Sequence, residues 1–151
     1  MNENTISGDL IGVALRQLGA TSIKEVHSMM HIANFDLGGG VEVSYVFNIT
    51  KDSRYFLQRM RPYPLPQGKF SDAQEIIDFI TVDIAAFRNA HNSKNFPRFV
   101  QVNDRMGQLV GQLEDLFLHY NVDGDALAAF HNELEKLVGA AETLRGQAKP
   151  L

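Results

Sequence analysis

His27 and His31 are spaced so that both lie on one face of either a helix or a strand. Such a pair is compatible with two metal ligands, or with an axial haem ligand in the Met29/Met30 neighbourhood. A metal needs more donors, and only Glu25 and Asp36 are near in sequence. Ser28 follows His27 where an HExxH helix would carry Glu. Half-buried structural histidines are therefore the expected reading, with no metal and no cofactor. His119-Tyr-Asn-Val-Asp-Gly124 has the outline of a calcium loop, but its first position would be His119 and its twelfth Phe130. The twelfth must be a bidentate Glu. The stretch reads instead as a helix–helix turn in which Asp123 or Asp125 caps the following helix.

No nucleophile stands beside a base, and no GxSxG, P-loop or dinucleotide fingerprint occurs. The chain is thus expected not to be an enzyme, unless scattered polar residues converge in the fold. The one stretch with unusual chemistry is Arg54-Tyr-Phe-Leu-Gln-Arg-Met-Arg-Pro-Tyr-Pro-Leu-Pro-Gln-Gly-Lys69. Residues 51–69 carry Lys51, Arg54, Arg59, Arg61 and Lys69 against Asp52 alone. Arginine and tyrosine together suit a protein interface, and they also suit phosphate contact and base stacking. Tyr55, Arg59, Arg61 and Tyr63 are the candidate partner-binding residues. An edge strand kept soluble by its own charge is the competing reading.

Charge weighs against nucleic acid. The chain is −4 overall; residues 1–50 carry −3, 51–105 carry +3 and 106–151 carry −4. A polyanion would be repelled on both flanks of the cationic stretch. There is no cysteine among the 151 residues, which excludes a disulfide framework and thiol chemistry and suits a cytoplasmic setting. No apolar run reaches membrane-spanning length, and the N-terminus lacks the basic start of a signal peptide.

The elements that must position these residues follow from periodicity. Leu10, Ile11, Ala14, Leu15 and Leu18 share one face of a short helix that Gly19 stops, with Ser7 or Asp9 as cap. Val41-Glu-Val-Ser-Tyr-Val-Phe-Asn-Ile49 alternates as a half-buried strand does. Gly38-Gly39-Gly40 turns into it, and Thr50–Ser53 turns out of it towards Arg54–Met60. Residues 23–30 fit helix or strand. Pairing Ile49 with Arg54, Phe47 with Phe56 and Val43 with Met60 stacks aromatics and sets Glu42 against Arg61. That register puts Arg59 and Arg61 on an outer face with Tyr55 and Leu57.

Three helices follow. Ser71-Asp-Ala-Gln74 reads as a capping box. Beyond it Ile76, Ile77, Ile80, Ile84 and Phe87 form one stripe and Phe79, Val82 and Ala86 a second, as for a helix buried on two sides between sheet and hairpin. Apolar steps of three and four run from Phe99 to Tyr120 and resume from Leu127 to Leu144, which predicts a long antiparallel hairpin over residues 98–145. Its heptad positions should bury Leu109, Leu113, Leu116, Phe130, Leu134 and Leu137. Gly107 and Gly111 inside it imply close approach of a neighbour, since each costs about 1 kcal/mol relative to Ala.

The expected architecture is a single α+β domain. Residues 1–61 hold a short N-terminal helix and a three-stranded antiparallel meander. Residues 62–70 are a proline-rich linker, 71–146 a helical half ending in the hairpin, and 147–151 a frayed tail. The expected role is a non-enzymatic protein–protein interaction module, an adaptor, regulator or chaperone-like protein, active as a homodimer or on another protein. Small secretion chaperones are similar in size, acidity and early helix–strand order. A haem, metal or small-ligand carrier using His27 and His31 is the alternative.

Overall fold

The computed structural model describes residues 3–150, with side chains from residue 8 onward. Eight elements follow in order: α1 (Glu3–Gln17), β1 (Ser28–Gly38), β2 (Val41–Thr50), β3 (Tyr55–Arg61), β4 (Leu65–Phe70), α2 (Ala73–His91), α3 (Phe96–His119) and α4 (Gly124–Gln147). The class is α+β, as the pattern predicts, with four strands rather than three. The strands form one antiparallel meander in chain order, β1-β2-β3-β4.

The fourth strand corrects the linker reading of residues 62–70. Leu65–Phe70 pairs with β3, Tyr55 facing Phe70 and Arg59 facing Leu65, with a register shift between Leu57 and Gln58. Proline is tolerated here because β4 is an edge, which needs a ladder on one side only. Gly68, at φ 102°, supplies a conformation that L side chains rarely adopt.

The β2–β3 register also differs from expectation by one residue. Phe47 faces Leu57 and Ile49 faces Tyr55. The turn explains the shift. Thr50 N–H donates to the Arg54 carbonyl at 2.9 Å, leaving a three-residue loop, Lys51-Asp52-Ser53, whose last member sits at φ 55°. Three-residue hairpins with a left-handed third position are a favoured class. A one-residue slip exchanges the two faces of a strand. Leu57 and Arg59 accordingly point inward, whereas Phe56 and Met60 lie on the outer face.

The core lies between the inner sheet face and α2. Val43, Tyr45 and Leu57 meet Ile84 and Phe87, and Phe96 from the first turn of α3 closes one end. α2 begins at an Asp72 cap, whose carboxylate accepts from Glu75 N–H at 2.9 Å, while Ser71 N–H donates to the Glu75 carboxylate at 2.8 Å. The capping box is thus real but set one residue later than the Ser71–Gln74 reading. Only one side of α2 is covered: Ile76, Ile84 and Phe87 are buried, whereas Ile77 and Val82 are exposed. α2 does not lie between two layers, because the hairpin is not stacked on it.

β1 is extended from Ser28, and residues 22–27 are neither helix nor strand. α1 starts at Glu3, so Ser7 and Asp9 fall inside the helix rather than at its cap. α4 ends at Gln147, and Leu151 of the expected frayed tail lies outside the described residues.

Candidate protein interface

The four candidate residues of the cationic stretch are not gathered on one surface. Arg59 is buried, 5% exposed. Its Nε donates to Asp83 Oδ2 and its Nη2 to Asp83 Oδ1, both at 3.1 Å, a bidentate pair between β3 and α2. The Tyr45 hydroxyl donates to the same Oδ2 at 2.6 Å. The guanidinium lies 4.7 Å from the Phe87 ring centre and 5.3 Å from that of Tyr63. Burial, with the Asp83 carboxylate second, pushes the Tyr45 phenol well above its ordinary value. This is a clamp holding α2 to the sheet, and it leaves Arg59 no reach to a partner.

Tyr63 belongs to the same aromatic stack, edge-on to Phe99 at 5.7 Å and tilted against Phe87 at 6.3 Å. Tyr55 is half-buried opposite Ile49 and Phe70. Arg61 alone is free at the surface, 3.2 Å from Glu42. That pair forms as expected, diagonally, since Arg61 faces Ser44. The sequence reading missed Asp83. Its signal was an acid inside the apolar series Ile76, Phe79, Ile80, Ile84, Phe87, where a carboxylate has to find a buried cation.

The histidines do not converge on a metal arrangement. His31 stacks on Phe47, ring centres 4.7 Å apart and planes within 3°. His27 is exposed, outside β1. Among the described residues no group of three or more His, Asp or Glu side chains is placed to hold a metal. His91 packs edge-on to Phe96 at 5.4 Å, beside an open cleft bordered by Glu42, Arg61 and Lys94.

The surface that stands out is carried by α3 and α4, which are joined by a short turn. Asp123 accepts from Ala126 N–H at 3.0 Å and starts α4 immediately after the turn. Near that turn the two helices enclose a groove of about 300 Å³ lined by Leu109, Leu113, Leu116, Val122, Leu127 and Phe130. Half-burial is the most the seam achieves, at Leu109, Leu113, Val122 and Leu127. Leu134 is 41% and Leu137 63% exposed, and every residue of α4 beyond Leu127 is exposed. The expectation that the heptad positions are buried is therefore overturned. Beyond the turn α3 and α4 scarcely approach each other, so neither apolar stripe covers the other and no further layer covers either. Gly107 and Gly111 likewise meet nothing within 4 Å of where a Cβ would stand.

The open stripe has a definite chemistry. Val102, Met106, Val110, Leu113 and Phe117 recur at steps of three and four, which hold one face of α3. Asp104 and Asp115 lie on the opposite side of the helix by the same geometry, and Glu114, four residues after Val110, borders the stripe. Met106, Val110 and Phe117 are all more than half exposed. The apolar face of α1, with Leu10, Ile11 and Leu15, is uncovered too. No family model, curated protein or solved structure matches the chain.

Among the described residues no helix is long and apolar enough to cross a membrane. The exposed stripes are amphipathic faces rather than spanning segments.

Proposed function

We propose that this protein is a non-enzymatic protein–protein interaction module, an adaptor, regulator or chaperone-like protein, whose working surface is the apolar stripe of the α3–α4 hairpin. One observation carries the reading: an exposed apolar face, with Glu114 only at its border, runs along α3 beside an α4 whose own apolar positions are open. Contiguous apolar surface beyond a few hundred Å² is rare on proteins that act alone. The occupant is either a second copy, giving a homodimer, or a different protein. A cytoplasmic setting fits the cysteine-free composition.

The test is hydroxyl-radical footprinting of Met106 and Phe117. The chain is compared in an extract of the cells that make it and, purified, at nanomolar concentration. Protection of both residues in the extract is the expected result. Equal oxidation in the two samples, after correction for radical dose, would mean that no protein covers the stripe.

A further inference from the structure

Apolar stripes left open along α3 and α4 give those helices little of the packing that stabilises helices in proteins. Isolated helices draw most of their stability in proteins from burial of an amphipathic face. α4 spans 24 residues, and past Leu127 none is buried: Phe130, Leu134 and Val138 are 36–48% exposed, and Leu137 and Leu144 are 63% and 67% exposed. The same is true of the stripe side of α3 at Met106, Val110 and Phe117. Both helices therefore need a cover that is present whenever the chain is folded. A second copy meets that condition at fixed stoichiometry.

The area is sufficient. About a dozen large apolar side chains of α3 and α4 stand roughly half exposed. At about 150–200 Å² for each such residue they offer on the order of 1,000 Å² per copy. A standard stable interface needs about 800 Å² from each partner.

Charge permits the pairing of like with like. The hairpin is acidic, with Asp104, Glu114 and Asp115 on α3 and Asp125, Glu133, Glu135 and Glu142 on α4. Helical spacing places Asp104 and Asp115 behind the Val102–Phe117 stripe and Glu114 at its border, so the centres of two stripes meet without opposing carboxylates. Two hairpins packed about a two-fold axis form four helices around one apolar centre, an arrangement in which the same patch serves both copies.

We infer that the occupant of the hairpin stripe is a second copy of this chain, and that the functional unit is a homodimer built on a four-helix core from α3 and α4. The inference rests on the interaction-module reading and names the partner of that surface.

Sedimentation equilibrium at micromolar concentration tests it. The parent is expected at twice its 16.9 kDa chain mass. Val110→Glu with Leu134→Glu places carboxylates in the seam and should weaken pairing by about 100-fold or more, giving a monomer. Ile77→Glu, on the exposed side of α2, should leave the dimer intact.

Because the chain has no cysteine, Leu137→Cys carries a single spin label without other changes. Two labels in one bundle should lie within about 20 Å and couple, since packed helices stand about 8–10 Å apart. The labelled protein decides the matter even if the double-Glu variant fails to fold. A monomeric parent, a dimer that survives the double-Glu change with its circular dichroism intact, or uncoupled labels would each overturn the homodimer. If footprinting still found protection in the extract, the stripe would belong to a different protein and the interaction reading would stand. If it found none, both would fall.

Discussion

Replacing Asp83 by Ala removes both acceptors of the Arg59 guanidinium and the acceptor of the Tyr45 hydroxyl in one step. What remains is a cation that is 5% exposed, lodged between Phe87 and Tyr63, with no counter-charge. Breaking a buried pair by deleting one partner costs about 3–5 kcal/mol, because the survivor keeps its desolvation penalty. The orphaned Tyr45 hydroxyl, on a residue with no exposed surface, adds about 1–3 kcal/mol. The two rings hold the cation and offset part of this, about 2 kcal/mol for a desolvated site. The net expectation is about 2–6 kcal/mol. For a chain of this length that lowers the melting temperature by roughly 4–24 °C, at about 2–4 °C per kcal/mol. Urea unfolding, followed by tyrosine fluorescence and by circular dichroism, measures it, since the chain has no tryptophan to dominate the emission. Arg59→Met combined with Asp83→Leu should recover most of the loss, because an apolar pair of similar volume can replace a buried ion pair. A loss below about 1 kcal/mol for Asp83→Ala, or no recovery in the double variant, would refute the clamp.

Two further outcomes follow from the same geometry. The Tyr45 phenol titrates higher in the folded chain than its unfolded value of about 10. Its contribution is therefore complete below about pH 10 and is lost as pH rises beyond it, at up to about 1.4 kcal/mol per pH unit. Tyr45→Phe should remove that alkaline slope while lowering stability at neutral pH, and urea midpoints between pH 7 and 11.5 check both effects. Arg61→Glu breaks only the exposed pair with Glu42 and should change stability by less than about 1 kcal/mol, whereas Arg59→Glu should prevent folding; a chemical-denaturation comparison of the two separates surface from clamp.

Much of the sheet was legible because its signals are local. The alternation of Val41–Ile49, the Gly38–Gly40 turn, the Asp123 cap and the four-residue break between the long helices all act over a few residues. The register was not legible. Matching Phe47 with Phe56 and keeping arginine outside are sound local preferences, but Arg59 goes inside because Asp83, 24 residues later, is there to meet it. The same holds for β4. Three prolines argue against a ladder until the strand is known to be an edge. In the hairpin the apolar steps of α3 and α4 located both helices correctly. They did not say whether the stripes are buried within the chain, since one stripe looks the same beneath a layer of its own chain or of another.

The meander also sets an order of events during synthesis. Each ladder joins strands adjacent in the chain, so the sheet is complete once residue 70 has left the ribosome. At that moment α2 has not yet emerged, and Val43, Tyr45 and Leu57 face water. At about 5–20 residues per second, the 21 residues from Ser71 to His91 take roughly one to four seconds to appear. Hairpins close in microseconds, so translation and not chain diffusion fixes how long the apolar face stands open. Arg59 remains hydrated through that interval and keeps the face charged. It is desolvated only when Asp83 arrives, and the residue that ties helix to sheet in the finished protein thus keeps the unfinished one soluble while it waits.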